Sequence, residues 1–169
     1  MPNDMRSAQA SPVFDPTTFL EGQTLAWGIF EDRFGRVRRR FSVEMSGRWE
    51  GAVFYLEETF LYDDGTTEKR VWRIVPEAKG RFTATCADCV GTARGECDAN
   101  TIRMSYRFRL RLENRTIDVD FDDRIYLVSD AIAVNRAVMR KWGVRLGAVS
   151  LFFHRGDVGQ DIRQAAAAA

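Results

Sequence analysis

The sequence predicts an all-β protein, an antiparallel up-and-down barrel of about eight to ten strands preceded by a short helical turn. Three observations support this fold class. Apolar and polar residues alternate with a period of two over long segments, turn signals separate these segments, and no segment has the apolar periodicity of an ordinary helix. Such a meander exposes edge strands unless it closes on itself, so we expect the barrel to close.

The helical turn and most strands can be placed from local signals. Asp15 is a suitable N-cap and Pro16 suits the first helical position, so a turn is predicted over residues 15–20. Beyond the two hairpins described below, alternation and turn residues predict strands at 24–31, 36–46, 80–86, 90–97, 124–129, 131–139 and 145–154.

One hairpin turns at Asp63-Asp64-Gly65. A three-residue loop with Gly65 in the left-handed conformation pairs Tyr62 with Thr66. The same register places Glu58 opposite Arg70 on the neighbouring strand, with Phe60, Leu56 and Trp72 on the same face.

A second hairpin joins two segments of clear alternation, residues 101–113 and 117–122. A two-residue loop at Asn114-Arg115 would place the arginines of the first segment opposite the aspartates of the second: Arg111 with Asp118, Arg109 with Asp120, and Arg107 with Asp122. We interpret this charged ladder as a solvated barrel exterior, and an anion-binding stripe is the alternative.

The domain limits follow from polarity at both ends of the chain. Residues 1–12 are small and polar and are expected to form a disordered tail. The barrel domain is predicted over residues 13–156, and residues 157–169, which end in alanines, are expected to form a C-terminal tail.

The composition excludes several functional classes. There are 25 Lys and Arg residues against 24 Asp and Glu, so the net charge of +1 excludes a strongly basic nucleic-acid binder. The chain is rich in aromatic residues and has one His, so we expect no metal and no cofactor. No signal-peptide run, membrane-spanning segment or Cys placed for lipid attachment is seen, which predicts a cytoplasmic protein.

The first candidate site is the group formed by Glu58, Arg70 and Trp72. In the predicted register it shares a face with Phe60 and Tyr62, and that face is too apolar to lie in solvent. The charged pair is therefore expected inside the barrel, where it can bind a ligand headgroup. The alternative is an interior salt bridge that only supports the fold.

The second candidate site is centred on Asp123, which falls opposite Tyr106 on the apolar face. A carboxyl group there is expected to have a raised pKa and could act as a general acid or base. Asn135 and Arg136 are expected nearby. The alternative is a structural role, with Asp123 paired to Arg136 or ending the strand.

The remaining reactive residues have simpler interpretations. Cys86, Cys89 and Cys97 are interpreted as small buried side chains, because zinc needs four ligands and a redox Cys-x-x-Cys motif usually begins a helix. His154 is interpreted as a surface or capped residue, with an axial haem ligand as the alternative.

Short motifs also occur in an order that resembles a bacterial family of unknown function with a lipocalin-like barrel. The motifs, which span about residues 14–155, are Phe14-Asp15-Pro16, Ala26-Trp27-Gly28, Asp32-Arg33-Phe34-Gly35, Tyr62-Asp63-Asp64-Gly65, Val90-Gly91, Phe121-Asp122-Asp123 and Asn135-Arg136-Ala137. The resemblance implies a calycin barrel and no established activity. Some relatives look like lipoproteins or are encoded near fatty-acid-modifying enzymes, which favours a lipid ligand.

The resemblance to lipocalins also implies one structural contact. In that superfamily a Trp on the first strand packs beneath an Arg from the end of the last strand, and Trp27 and Arg155 occupy the corresponding ends of this chain. The usual Gly-x-Trp sequence is missing here, so the correspondence is loose.

These observations predict a protein that binds a small hydrophobic or amphipathic ligand, lipid-like or fatty-acyl-like, in a barrel cavity of roughly a few hundred cubic ångströms. The alternatives are a structural or interaction barrel with a filled core and an acid–base enzyme acting on a lipid-like substrate. Enzyme activity is left open, with binding favoured. The sequence predicts no nucleic-acid partner and leaves the oligomeric state undetermined.

Overall fold

The chain folds into a closed antiparallel barrel. The structure, a computed structural model, describes residues 14–112 and 114–156. Within these ranges, ten strands pair in sequence order, and the last pairs with the first to close the sheet. The predicted fold class is therefore confirmed. The tails predicted at residues 1–12 and 157–169 lie outside the described residues. Among the residues that are described, no helix is long and apolar enough to cross a membrane.

The elements are α1 (Pro16–Phe19), β1 (Gly22–Asp32), β2 (Val37–Glu50), β3 (Val53–Tyr62), β4 (Thr67–Pro76), a 3-10 turn (Ala78–Gly80), β5 (Arg81–Thr85), β6 (Ala93–Asp98), β7 (Thr101–Leu112), β8 (Arg115–Ser129), β9 (Ile132–Lys141) and β10 (Val144–Arg155). Some strands, such as β2 and β8, are longer than the sequence indicated, whereas β5 and β6 are shorter. In particular, the segments predicted at residues 117–122 and 124–129 form one strand, β8.

Helix α1 covers one end of the barrel. Asp15 caps it as predicted, because Oδ1 accepts hydrogen bonds from the backbone N–H groups of Thr17 at 2.7 Å and Thr18 at 3.3 Å. Phe14 and Phe19 meet edge to face, with ring centroids 5.4 Å apart, and both are buried. The backbone N–H of Phe14 also donates to the carbonyl of Ala99, which fixes this segment to the β6–β7 turn.

The predicted register of the β3–β4 hairpin is confirmed. Glu58 pairs with Arg70 and Phe60 pairs with Glu68. The loop is closed by a hydrogen bond from the Tyr62 N–H to the Thr66 carbonyl at 3.0 Å. Gly65 has a φ of 80°, the left-handed conformation that the three-residue loop requires.

The predicted register of the β7–β8 hairpin is wrong by two residues. Arg109 pairs with Asp118, Arg107 with Asp120, and Met104 takes the place of Tyr106 opposite Asp123. A shift of two preserves the face of every side chain, so alternation does not distinguish the two registers. None of the three predicted charge pairs forms. Two cross-strand Arg–Asp pairs form with changed partners, and Arg111 instead donates to Asp88 at 3.0 Å.

The two ends of the barrel differ in exposure. Beneath α1, the side chains of Phe19, Ile102 and Phe153 are buried and pack together. At the opposite end, which we call the open end, several inner side chains are partly exposed to solvent. They are Phe30, Phe41, Tyr62, Leu110, Ile117 and Phe121.

Candidate functional site

A charged cluster lies on the inner face of β3 and β4, as predicted for Glu58, Arg70 and Trp72. Trp72 Nε1 donates a hydrogen bond to Glu58 Oε2 at 3.2 Å. The Arg70 guanidinium lies 3.8 Å from the Glu58 carboxylate and 2.8 Å from that of Glu68. The side chains of Arg70 and Glu58 are only 18% and 12% exposed, so this is a largely desolvated pair.

Aromatic rings surround the Arg70 guanidinium. Its central carbon lies 4.8 Å from the ring centroid of Phe60 and 4.6 Å from that of Phe108, both within cation–π range. Arg70 Nε is buried and has no hydrogen-bond partner among the described residues. Arg70 therefore has a donor available in an apolar environment.

The acidic groups around Arg70 are affected by burial. Burial raises the pKa of Glu58, although the charge of Arg70 and the Trp72 hydrogen bond act in the opposite direction. Glu68 lies nearer the solvent, with a side chain 39% exposed, and accepts a hydrogen bond from the Tyr62 hydroxyl at 2.9 Å. Burial, reinforced by Glu68, raises the pKa of Tyr62 to about 12.

Asp123 and Asn135 are buried on the inner face of β8 and β9, as predicted. The Tyr106 hydroxyl lies 3.4 Å from Asp123 Oδ2, and Oδ1 has no partner among the described residues. Burial raises the pKa of Asp123 to about 7, against the opposite effects of Asn135 and Tyr106. A carboxyl group with this pKa can accept or donate a proton near neutral pH.

Aromatic side chains fill the middle of the barrel between these two polar groups. Trp72 meets Tyr106 edge to face at 5.4 Å, and Tyr106 stacks on Phe121 at 5.2 Å. The rings occupy the space in which the sequence predicted a ligand. The partly exposed open end is therefore the accessible part of the lumen.

Two predicted placements are wrong. Trp27 points outward and is 43% exposed. Its ring centroid lies 6.3 Å from that of Phe152. Arg155 instead pairs with Thr24, three residues before Trp27. The predicted packing of Trp27 beneath Arg155 is therefore not formed. Arg136 is exposed on the outer face of β9 and does not join the interior group.

The inner position next to Trp27 is occupied by small residues instead. Ala26 is fully buried, and a Cβ on Gly28 would lie 2.8 Å from the Phe41 ring and 2.9 Å from Leu151. Large side chains from the neighbouring strands thus fill the space above β1. The hydrophobic residues that alternate with Ala26 and Gly28 consequently face outward.

These outward residues form an apolar groove of about 670 Å³ on the outside of the barrel. Its central row crosses neighbouring strands in register, from Val134 through Phe152, Trp27 and Ser42 to Leu61. Arg40 and Asp63 line it beside this row. This groove lies on the outside of the barrel and is not the interior cavity that the sequence predicted.

Two features of the structure, the contact of Glu68 with Arg70 and the outer groove, were not predicted. Glu68 could have been found from the sequence, since it lies two residues before Arg70 and so shares its face. The groove could not, because it depends on the closure of β1 against β10. Within the described ranges, no group of three or more His, Cys, Asp or Glu residues is placed to hold a metal ion.

The fold and this site define the class of the protein, a lipocalin-like β-barrel with a polar cluster in an aromatic interior. The family described as "Protein of unknown function (DUF3833)" matches residues 2–155, and the chain belongs to this family. The resemblance inferred from the sequence motifs is therefore confirmed. A search of curated proteins gives no match.

A solved structure supports the fold assignment. The chain is similar to the S-type phycobiliprotein lyase CPES from Guillardia theta, with a TM-score of 0.62 and 6% sequence identity. The similarity covers 83% of this chain and 90% of the lyase. At this identity the similarity establishes the shared fold alone.

Proposed function

We propose that the protein binds a small amphipathic ligand with an anionic group, such as a fatty acid, at the open end of the barrel. The observation that supports the proposal most strongly is the position of Arg70, a largely desolvated cation between the rings of Phe60 and Phe108 with an unpartnered Nε. The anionic group would bond to this guanidinium. The apolar part would contact the partly exposed hydrophobic side chains of the open end.

The two carboxylates beside Arg70 leave room for such a ligand anion. Glu68 is the more exposed of the two, so its contact with Arg70 can be exchanged for a ligand carboxylate at lower desolvation cost. Glu58 lies 3.8 Å from the Arg70 guanidinium, which is beyond hydrogen-bond distance, so it leaves the donors of Arg70 available. The site is therefore suited to an anion that arrives from the open end.

Calorimetric titration with dodecanoate and dodecan-1-ol tests the proposal, because the two share a chain and differ in charge. We expect the wild type to bind dodecanoate more tightly, and Arg70→Gln to weaken dodecanoate binding about ten-fold or more with little effect on the alcohol. Arg107→Gln, on the outer ladder, is the matched control. Equal binding of dodecanoate by wild type and folded Arg70→Gln would refute the proposal.

The same titration distinguishes the open end from the outer groove. Trp27→Ala removes the central side chain of the groove and leaves Arg70 in place. We expect this variant to bind dodecanoate like the wild type. Loss of binding in Trp27→Ala with full binding in Arg70→Gln would instead place the ligand on the outside.

A second candidate function, an interaction barrel, is favoured by the exposed apolar row. Trp27, Phe152 and Leu61 are 43%, 42% and 51% exposed, and contiguous exposed apolar surface is typical of interaction sites. Sedimentation velocity of the wild type and of the double variant Trp27→Ala/Phe152→Ala tests whether this surface joins two copies. Association that the double variant abolishes would support this function, and a monomeric wild type would count against self-association.

A further inference from the structure

The link between β5 and β6 brings two cysteines into contact. The N–H of Cys89 donates to the carbonyl of Cys86 at 3.1 Å and closes a turn, and the two Sγ atoms lie 2.8 Å apart. Bond formation between them therefore needs little backbone movement. The third cysteine, Cys97, lies beside a different part of β7. Cys97 pairs with Ile102, whereas Cys89 bridges to Phe108. Ile102 and Phe108 are six residues apart on one strand, so Cys97 and Cys89 are separated by roughly 20 Å.

The turn is held firmly against β7. The Val90 N–H donates to the Arg107 carbonyl at 2.9 Å, and the Arg109 N–H donates to the Asp88 carbonyl at 2.8 Å. On the other side, β4 pairs with β5 only from Arg73 to Pro76. The turn follows the end of β5 and precedes the start of β6. It therefore forms part of the barrel wall beyond the paired residues of these strands, beside Arg70.

The two thiols differ in acidity. The hydrogen bond between Cys86 and Cys89 lowers the pKa of Cys86, and the positive charge of Arg70 contributes in the same direction. The pKa of Cys89 is raised, chiefly by the same contact with Cys86. Both side chains are partly exposed, so a small reagent can reach them.

We propose that Cys86 and Cys89 form a reversible intramolecular disulfide by exchange with oxidised glutathione. The thiolate of Cys86 attacks one sulfur of glutathione disulfide, breaks its S–S bond and releases one glutathione thiolate, which takes up a proton. Cys89 then loses its proton to solvent and attacks Cys86 Sγ in the mixed disulfide, which releases the second glutathione. Two protein thiols are oxidised and one glutathione disulfide is reduced to two thiols.

The test is equilibration of the full chain with defined mixtures of reduced and oxidised glutathione, followed by acid quenching, alkylation and mass spectrometry. We expect a species that has lost two hydrogens, with Cys86 and Cys89 protected from alkylation and Cys97 alkylated. Cys97→Ser should behave like the wild type, and Cys89→Ser should stop at a mixed disulfide on Cys86. Alkylation of all three cysteines, or a wild type that stops at the mixed disulfide, would refute the proposal.

A comparison in urea separates the folded geometry from the general tendency of a Cys-x-x-Cys sequence to close. We expect the equilibrium constant for disulfide formation to be at least ten-fold larger in the folded chain than in the unfolded chain, because the fold holds the two sulfur atoms in contact. Equal constants in the two states would show that the fold contributes nothing to the pairing and would overturn the proposal.

Discussion

The Tyr106 hydroxyl lies 3.4 Å from the Asp123 carboxylate, on neighbouring strands of the inner face. The other carboxylate oxygen has no partner among the described residues, and the residue is 6% exposed. An ionised carboxylate in this position is poorly solvated, and its pKa consequently rises to about 7. The interior of the barrel thus tolerates Asp123 better when it carries a proton.

This relationship predicts how stability depends on pH. The pKa of Asp123 is about 7 in the folded state against a reference of 3.8, so between these values the folded state retains a proton that the unfolded state releases. The free energy of unfolding should therefore fall as the pH rises from 4 to 8. In urea denaturation, this fall should be smaller in Asp123→Asn than in the wild type by about 2–4 kcal/mol.

Asp122 provides the control for this measurement, because it lies next to Asp123 in sequence and points to the opposite face of β8. Asp122→Asn should retain the wild-type fall in stability between pH 4 and pH 8. If Asp123→Asn follows the wild-type curve as well, the buried carboxyl does not control the pH dependence.

Gly47 is predicted to be intolerant of a side chain. A Cβ at this position would lie 2.0 Å from the Leu20 carbonyl oxygen and 2.5 Å from the Phe54 ring. Because the first of these is backbone, it cannot rotate away, and Gly47→Ala should lower the free energy of unfolding by at least about 2 kcal/mol. Ser46→Ala on the same strand is the control, and equal stability of the two variants in urea denaturation would contradict the prediction.

The capping residue of α1 should contribute to stability although the helix has a single turn. Asp15→Ala removes the acceptor of the Thr17 and Thr18 N–H groups and should cost about 1 kcal/mol in urea denaturation. Thr18→Ala, in the same turn and exposed, should cost less. A larger loss in Thr18→Ala than in Asp15→Ala would show that the cap is not the stabilising element.

The outer charge ladder is predicted to contribute little. Arg109 contacts Asp118 at 3.0 Å, but both side chains are exposed, and exposed pairs are screened by water and salt. Arg109→Gln should leave the urea midpoint almost unchanged at high salt. The midpoint of Arg70→Gln should fall clearly under the same conditions, because the buried Glu58 loses its partner. Similar shifts in the two variants would contradict this contrast.

The two hairpins show which registers can be predicted from sequence. In the β3–β4 hairpin, Gly65 restricts the loop to one geometry. The predicted cross-strand pairs, including Glu58 with Arg70, follow from that geometry. In the β7–β8 hairpin, no glycine restricts the loop, and regular alternation makes registers that differ by two residues nearly equivalent. The side-chain faces were therefore predictable there, but the partners of Arg107 and Asp123 were not.

Local chemistry in the sequence was sufficient to determine the strands, the capped turn at Asp15 and the interior position of Glu58 with Arg70, because each depends on residues close together along the chain. The orientation of the side chains on β1 was decided by the closure of β1 against β10. This closure turned Trp27 outward because small residues such as Ala26 and Gly28 face a lumen already filled from neighbouring strands. Alternation reports that two faces differ, whereas packing between distant strands decides which of them faces inward.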